Sequence, residues 1–338
     1  MEKIILSPAL ESVTRLGIGS LGVTPPGSVL DERTLDAGAE VLAYALKRGL
    51  NFIDTAQYYA NYEVIRRGGI RAGVFDFSVS SKTYAHDRKG AVEAVEEARR
   101  ALDRDVIDLF MLHEQESLST LRGHSEALDA LLALKKQGII RAVGVSTHRV
   151  GCAEAVCELC YPNRDGSFGI EDRDRREERP FDVLFPIINR SGLGISDGST
   201  DEMLAACRRA KAEGLGIMAM KALGGGNFYA SAAENLRWVL DREEPDVVML
   251  GMRSEAEVDA DIAFFETGAF PAGAEEKIAA EGRRLVVEED CVGCGACARR
   301  CGQGAMKILD GKAVPDPRKC VLCGYCAPVC PHFAIKIV

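Results

Sequence analysis

The sequence predicts an α/β chain: a closed (β/α)8 barrel followed by a small α+β unit that holds metal clusters. Three observations carry this expectation. Short apolar runs alternate with amphipathic stretches eight times between about residues 14 and 266, the rhythm of strand–helix pairs joined locally. No early G-x-G-x-x-G is present, so closure is favoured over an open doubly wound sheet. Cysteines then crowd the C-terminal end in two runs of identical spacing.

The strand candidates are 15–18, 51–54, 77–82, 108–113, 142–146, 183–188, 216–220 and 247–250. The helices expected after them are about 32–48, 60–72, 87–102, 124–137, 150–160, 200–213, 231–242 and 254–265. In 124–137 the apolar positions Ala127, Leu128, Leu131 and Leu134 fall on one helical face. Segment 162–180 is polar and long for a connection between a helix and a strand, and reads as a solvated insertion or a docking flap. The expected organisation is a barrel over 1–267, a linker with one helix (about 272–285) over 268–290, and a cluster unit over 291–338.

The first cysteine run is Cys291, Cys294, Cys297 and Cys301, and the second is Cys320, Cys323, Cys326 and Cys330, followed by Pro331. Both read C-x2-C-x2-C-x3-C, the spacing that holds two cubane clusters when the fourth cysteine of each run reaches across to the other cluster. Cys291, Cys294, Cys297 and Cys330 would then hold one [4Fe–4S] cluster, and Cys320, Cys323, Cys326 and Cys301 the other. Gly302 stands where a proline is usual. Cys152, Cys157, Cys160 and Cys207 read as buried core thiols on helices.

With 338 residues and 47% hydrophobic content the chain can bury a large core. A net charge of −9 argues against nucleic acid as a partner. No apolar run reaches the roughly 20 residues of a membrane span, no signal pattern opens the chain, and thiolate clusters need a reducing compartment. A cytoplasmic location is expected.

In such a barrel, reacting groups stand at the C-terminal ends of strands. Asp54 ends one in NFIDTAQYY, with Tyr59 five residues on; Lys82 ends the next in SSKT, and His113 the next in MLHE. These segments resemble, in order, the motifs of the aldo-keto reductase family, over roughly residues 13–266. The cysteine repeats separately resemble bacterial two-cluster ferredoxins, so the whole is similar to the iron–sulfur branch of aldo-keto reductases. The resemblance implies Asp54, Tyr59, Lys82 and His113 as catalytic residues reducing a carbonyl or oxidising an alcohol. Tyr59 would act as acid/base, Lys82 would lower its pKa, Asp54 would orient Lys82, and His113 would hold the substrate oxygen or share the proton. It also implies NADPH, with Arg253, Ser254 and Glu257 at its adenosine end and Ser146, Asn189, Lys221, Gly224 and Gly225 along the rest.

The nicotinamide end departs from the family. Ser146-Thr147-His148, Phe185 and Met220 stand where Ser-Asn, a glutamine and an aromatic ring are common. Hydride carriers and one-electron clusters do not couple directly, so three options stay open: NADPH in the barrel, a flavin in the barrel, or electrons fed from the clusters straight to the substrate. An electron-transfer subunit whose barrel is only a docking body is the non-enzyme alternative. Lys221 and Arg190 lie near the expected mouth and suit an anionic substrate group. A redox protein such as a ferredoxin is the expected macromolecular partner.

Overall fold

The computed structural model describes residues 1–24, 31–158 and 179–338. Eight parallel strands close the barrel: β3 (Leu16–Gly19), β4 (Phe52–Asp54), β5 (Ser78–Thr83), β6 (Ile107–Leu112), β7 (Ile140–Thr147), β8 (Val183–Pro186), β9 (Gly216–Ala219) and β10 (Val247–Leu250). They pair in chain order, and β10 closes onto β3 with Val248 opposite Leu16. The helices begin where the local chemistry allows. Asp87 accepts from the Gly90 N–H to start α3 (Arg88–Leu102), and Ser199 forms a capping box with Glu202 ahead of α7 (Thr200–Ala212). Ser254 caps α9 (Glu255–Thr267) by accepting from the Glu257 N–H.

Two shells of packing hold the barrel. Outside the strands, helix side chains such as Leu42, Ile65, Leu128, Leu131 and Val258 pack with strand residues such as Leu16, Ile53 and Val143. The interior is filled by Phe52, Leu109, Met111, Val183, Met218 and Met249. The sequence reading missed the plug below them. A hairpin of β1 (Lys3–Ile4) and β2 (Val13–Thr14) brings Leu6, Leu10 and Val13 onto the interior cluster. It is two residues per strand, too short for periodicity to register. A further helix, α4 (Leu118–Gly123), precedes α5 (Ser125–Lys136).

The linker helix is shorter than expected, α10 (Ala274–Ala280), because Gly282 follows at φ +71° and the chain then enters β11 (Leu285–Val287). β11 pairs antiparallel with β14 (Ile335–Ile337), while β12 (Met306–Leu309) pairs with β13 (Lys312–Pro315). With the short helix α11 (Ala296–Arg300), these strands enclose a third apolar cluster. The β11–β14 sheet lies across the barrel mouth, since Glu288, Lys336 and Ile337 line the same cavity as Tyr59 and Lys82. No helix among the described residues is long and apolar enough to cross a membrane. Cys160 and nearly all of segment 162–180 lie outside the described residues.

Candidate active site and cluster cavities

A cavity of about 480 Å³ opens at the C-terminal ends of the barrel strands. Asp54, Tyr59, Lys82 and His113 all line it. Lys82 donates to both Asp54 oxygens (2.7 and 2.6 Å) and to the Thr55 carbonyl (2.6 Å), and Ser80 donates to Asp54 at 2.7 Å. Burial works against both charges, raising the Asp54 carboxyl and lowering the Lys82 ammonium, while their mutual attraction and hydrogen bonds oppose it. Tyr59 sits with its ring centroid 5.4 Å from Lys82 Nζ and 5.9 Å from the His113 ring. Its hydroxyl has no hydrogen bond among the described residues, so it is available to a ligand.

The expectation that Lys82 lowers the Tyr59 pKa is corrected. Burial, followed by the carboxylates of Asp54, Glu114 and Glu288, pushes the phenol well above its ordinary value. The reason is visible in the bonding: the Lys82 ammonium is spent on Asp54 and Thr55. His113 is also not a proton source at neutral pH. Burial, then the charge of Lys82, pulls its imidazole down to about 3. Its Nδ1 is buried without a partner, and the neutral ring still offers one N–H.

Sequence reasoning missed the wall behind His113. Tyr84 stacks on the imidazole (centroids 4.3 Å apart) and donates to Glu114 at 2.5 Å; His148 lies 3.4 Å from Glu114. Burial acts to raise the Glu114 carboxyl, but His148, His113 and the Tyr84 hydroxyl outweigh it and hold it at about 2. Burial pulls His148 down to about 4. Glu114 is in the left-handed region (φ +48°), a small store of backbone strain at the mouth. The adjacency of Glu114 to His113 was the only hint in the sequence; Tyr84 and His148 arrive from other strands.

The expected nucleotide contacts divide. Ser146, Lys221, Arg253 and Glu257 line the cavity. The Ser146 hydroxyl accepts from the Glu114 N–H at 2.9 Å. Glu257 takes Arg253 (3.1 Å) and Arg283 from the linker (2.8 Å), so Arg253 does not stand free for a phosphate. Ser254 does not line the cavity; its hydroxyl is used by the helix cap. Asn189 is a correction: fully buried, it holds its own turn by donating to the Leu193 carbonyl and accepting from the Leu193 N–H, both at 2.9 Å.

Of the glycine run, Gly225 and Gly226 line the cavity and Gly224 does not. A methyl group on Gly224 would strike the Phe228 ring (2.6 Å), one on Gly225 would strike Lys336 Cδ (2.6 Å), and one on Gly226 would overlap the Ile337 carbonyl. The glycines make room for the C-terminal strand, and the Ile337 N–H donates to the Gly225 carbonyl at 3.2 Å. Arg190 points away from the cavity and pairs with Glu234.

The eight terminal cysteines fall around two further cavities. Cys291, Cys294, Cys297 and Cys330 line one; Cys301, Cys320, Cys323 and Cys326 line the other. Among the described residues no three His, Cys, Asp or Glu side chains converge on a point as a single ion requires. Thiolates spread around a void suit a multinuclear cluster, in which each binds a different iron. Backbone N–H groups of Ala313, Ala305 and Ala334 donate to the sulfurs of Cys291 and Cys301 (3.3 Å each) and Cys330 (3.4 Å), the contacts that tune such clusters. Gly293 (φ +65°) allows the Gly311 carbonyl to approach. The donor set and the space fit two [4Fe–4S] clusters.

The model of the aldo/keto reductase family matches residues 15–235, more than half of the chain. The chain belongs to the aldo/keto reductase family. This aldo-keto reductase also matches the 4Fe-4S binding domain twice, over 285–307 and 313–336. It is 29% identical over 108 residues to methylglyoxal reductase DkgA of Escherichia coli K12, covering 31% of this chain and 38% of that one. It is 23% identical over 223 residues to L-galactose dehydrogenase of Arabidopsis thaliana, covering 59% and 66%. The chain thus spans little over a third of the length of the methylglyoxal reductases that it matches. An aldo-keto reductase of Bacillus halodurans shares the fold (TM-score 0.59, 16% identity, 83% of this chain and 96% of that one), as does one of Brucella melitensis (0.56, 17%, 83% and 100%).

Proposed function

We propose that this protein is an iron–sulfur oxidoreductase that reduces a small carbonyl to an alcohol in the barrel-mouth cavity, with electrons passing through its two clusters. One observation carries this reading: the first cysteine cavity and the barrel cavity share a wall. Val287, Ala334 and Ile335 line the cysteine cavity, while Glu288, Lys336 and Ile337 line the barrel cavity with Tyr59. The β11–β14 sheet thus borders both spaces. A carbonyl and its alcohol differ by two electrons and two protons: the two clusters, when bound, would supply one electron each, Tyr59 the proton on oxygen, and solvent entering the cavity the proton on carbon.

The side chains suit reduction more than oxidation. A phenol with a raised pKa stays protonated at neutral pH, ready to donate to a forming alkoxide, which is a far stronger base than a phenolate. Removing a proton from an alcohol would require the costly phenolate. Neutral His113 offers an N–H to hold the substrate oxygen, and the Asp54–Lys82 pair fixes the floor on which Tyr59 rests.

A second reading places NADPH, the donor typical of the family, in the same cavity. The continuity of the cavity from Tyr59 to Arg253, Glu257 and Asp261 favours it. Arg253 and Lys221 would then hold its phosphates, and it would supply both electrons as hydride. The border that the β11–β14 sheet forms with the cysteine cavity favours the first reading. Calorimetric titration of NADPH and NADH into anaerobic, cluster-replete protein separates the two. The first reading expects no micromolar binding of either nucleotide. Micromolar binding that prefers NADPH and weakens in Arg253→Ala would replace it with the second.

A further inference from the structure

We propose that Lys221 and Lys336 form an anion site at the barrel mouth that holds the carboxylate of a short oxo acid, with its carbonyl turned toward Tyr59 and His113. This rests on the carbonyl-reduction reading and names its substrate class. It also gives the C-terminal unit a residue in the substrate pocket.

Five cations line the cavity: Lys82, Lys221, Arg253, Arg283 and Lys336. Four are paired. Lys82 bonds Asp54 at 2.6 Å, Arg253 and Arg283 bond Glu257 at 3.1 and 2.8 Å, and Lys336 bonds Glu288 at 2.9 Å. Lys221 has neither a hydrogen bond nor an ion pair to its ammonium among the described residues. It stands after β9 in the left-handed region (φ +60°), a conformation that a lysine adopts rarely. Strain of this kind persists where the surroundings impose it, often at ligand clamps.

Lys336 is brought to the same place by β14. Its side chain is 6% exposed, and besides Glu288 it donates to the Phe333 carbonyl. Both ammonium groups lie over one ring, Lys221 at 5.7 Å and Lys336 at 3.8 Å from the Phe333 centroid. Burial, then the charge of Lys221, brings Lys336 down to about 8 even with Glu288 beside it. The same cavity is lined by the apolar Phe185, Met220, Met249 and Leu250 and by the carboxylates of Glu114 and Glu288, of which Glu288 is held by Lys336. A carboxylate there relieves the repulsion in a medium where each contact counts for more than in water.

The position favours a compact anion near the reacting end. The charge of Lys221 acts on Lys82 and His113, so it stands by the catalytic group and not at the Arg253 end.

The test uses oxidised, cluster-replete protein without an electron donor, so that binding is read whether or not reduction occurs. Pyruvate, acetoacetate and levulinate are titrated calorimetrically beside their methyl esters. At least one acid should bind tenfold or more tighter than its ester, and Lys221→Gln should abolish that preference. Lys336→Gln should do the same, and Lys336→Arg should restore it, with iron content confirming that the clusters are kept. If Lys336→Gln loses its clusters, Lys221→Gln decides alone. Equal binding of acids and esters in the wild type would overturn the proposal. So would an unchanged preference in Lys221→Gln, or a loss confined to NADPH affinity, which would assign Lys221 to a dinucleotide.

Discussion

The barrel surrounds its charged residues with aliphatic side chains from all eight strands and the helices outside them. The C-terminal unit has little of this. Among the described residues its apolar cluster has eleven buried members, of which three are cysteines and one, Leu193, belongs to the barrel. In the barrel, scaffold and site are separable, because the fold stands whether or not Tyr59 reacts. In the C-terminal unit three of the eight cluster-motif cysteines are themselves buried members of the core. Cluster binding and folding are expected to be coupled there.

The largest expected effect breaks the comparison at its weaker side. Replacing Cys297 by Ala should empty the first cluster cavity and release the unit. Limited proteolysis should then cut within 285–338, while the barrel keeps its far-UV circular dichroism. A barrel that unfolds with the unit would show that the two are not separable.

Tyr59→Phe should cost 10²–10⁴ in turnover with iron content unchanged, the usual worth of a positioned proton donor. An active Tyr59→Phe variant would move the chemistry away from the tetrad. Asp54→Asn leaves Lys82 a buried charge without its counterion, and should lower barrel stability by about 3–5 kcal/mol in urea unfolding. A small change would mean that the pair is dispensable to the scaffold.

A subtler variant acts on the seam. Gly226→Ala places a methyl group against the Ile337 carbonyl at φ +81°, and should loosen the roof by roughly 1–3 kcal/mol. Faster protease cleavage in 285–338 is the readout; a merely local effect would leave it unchanged.

Stability also depends on pH. His113 and His148 titrate at about 3 and 4 in the folded state against 6.5 as the ordinary value. The unfolded chain therefore binds more protons as pH falls below 6.5, so stability is full above that pH and declines toward 4. Each imidazole contributes at most ~1.4 kcal/mol per pH unit. A urea midpoint that stays flat from pH 7 to 5 would contradict the burial of these rings.

Much of this was legible in sequence where the information is local. Asp54, Lys82 and His113 end consecutive strands whose apolar runs mark them, and the cysteine spacing divides itself between two cavities. What was not legible depends on chain segments far apart in sequence. Gly224–Gly226 read as a phosphate cradle because a glycine run reports only that something approaches closely; the visitor is residues 336–337. Lys336 had no local signature, because its place comes from β14 pairing with β11. The direction of the Tyr59 shift was misjudged because its burial, and the carboxylates of Glu114 and Glu288 that add to it, have no local signature.

The central claim is that the clusters and the barrel cavity exchange electrons across the β11–β14 sheet. The direct measurement mixes dithionite-reduced, cluster-replete protein, freed of excess reductant and of nucleotides, with an oxo acid under anaerobic conditions. The electron paramagnetic resonance of the reduced clusters is then followed. The account predicts that the signal disappears as alcohol forms, and at least 100-fold more slowly in Tyr59→Phe. A signal that persists with every carbonyl tested, while NADPH alone drives the reduction, would contradict it.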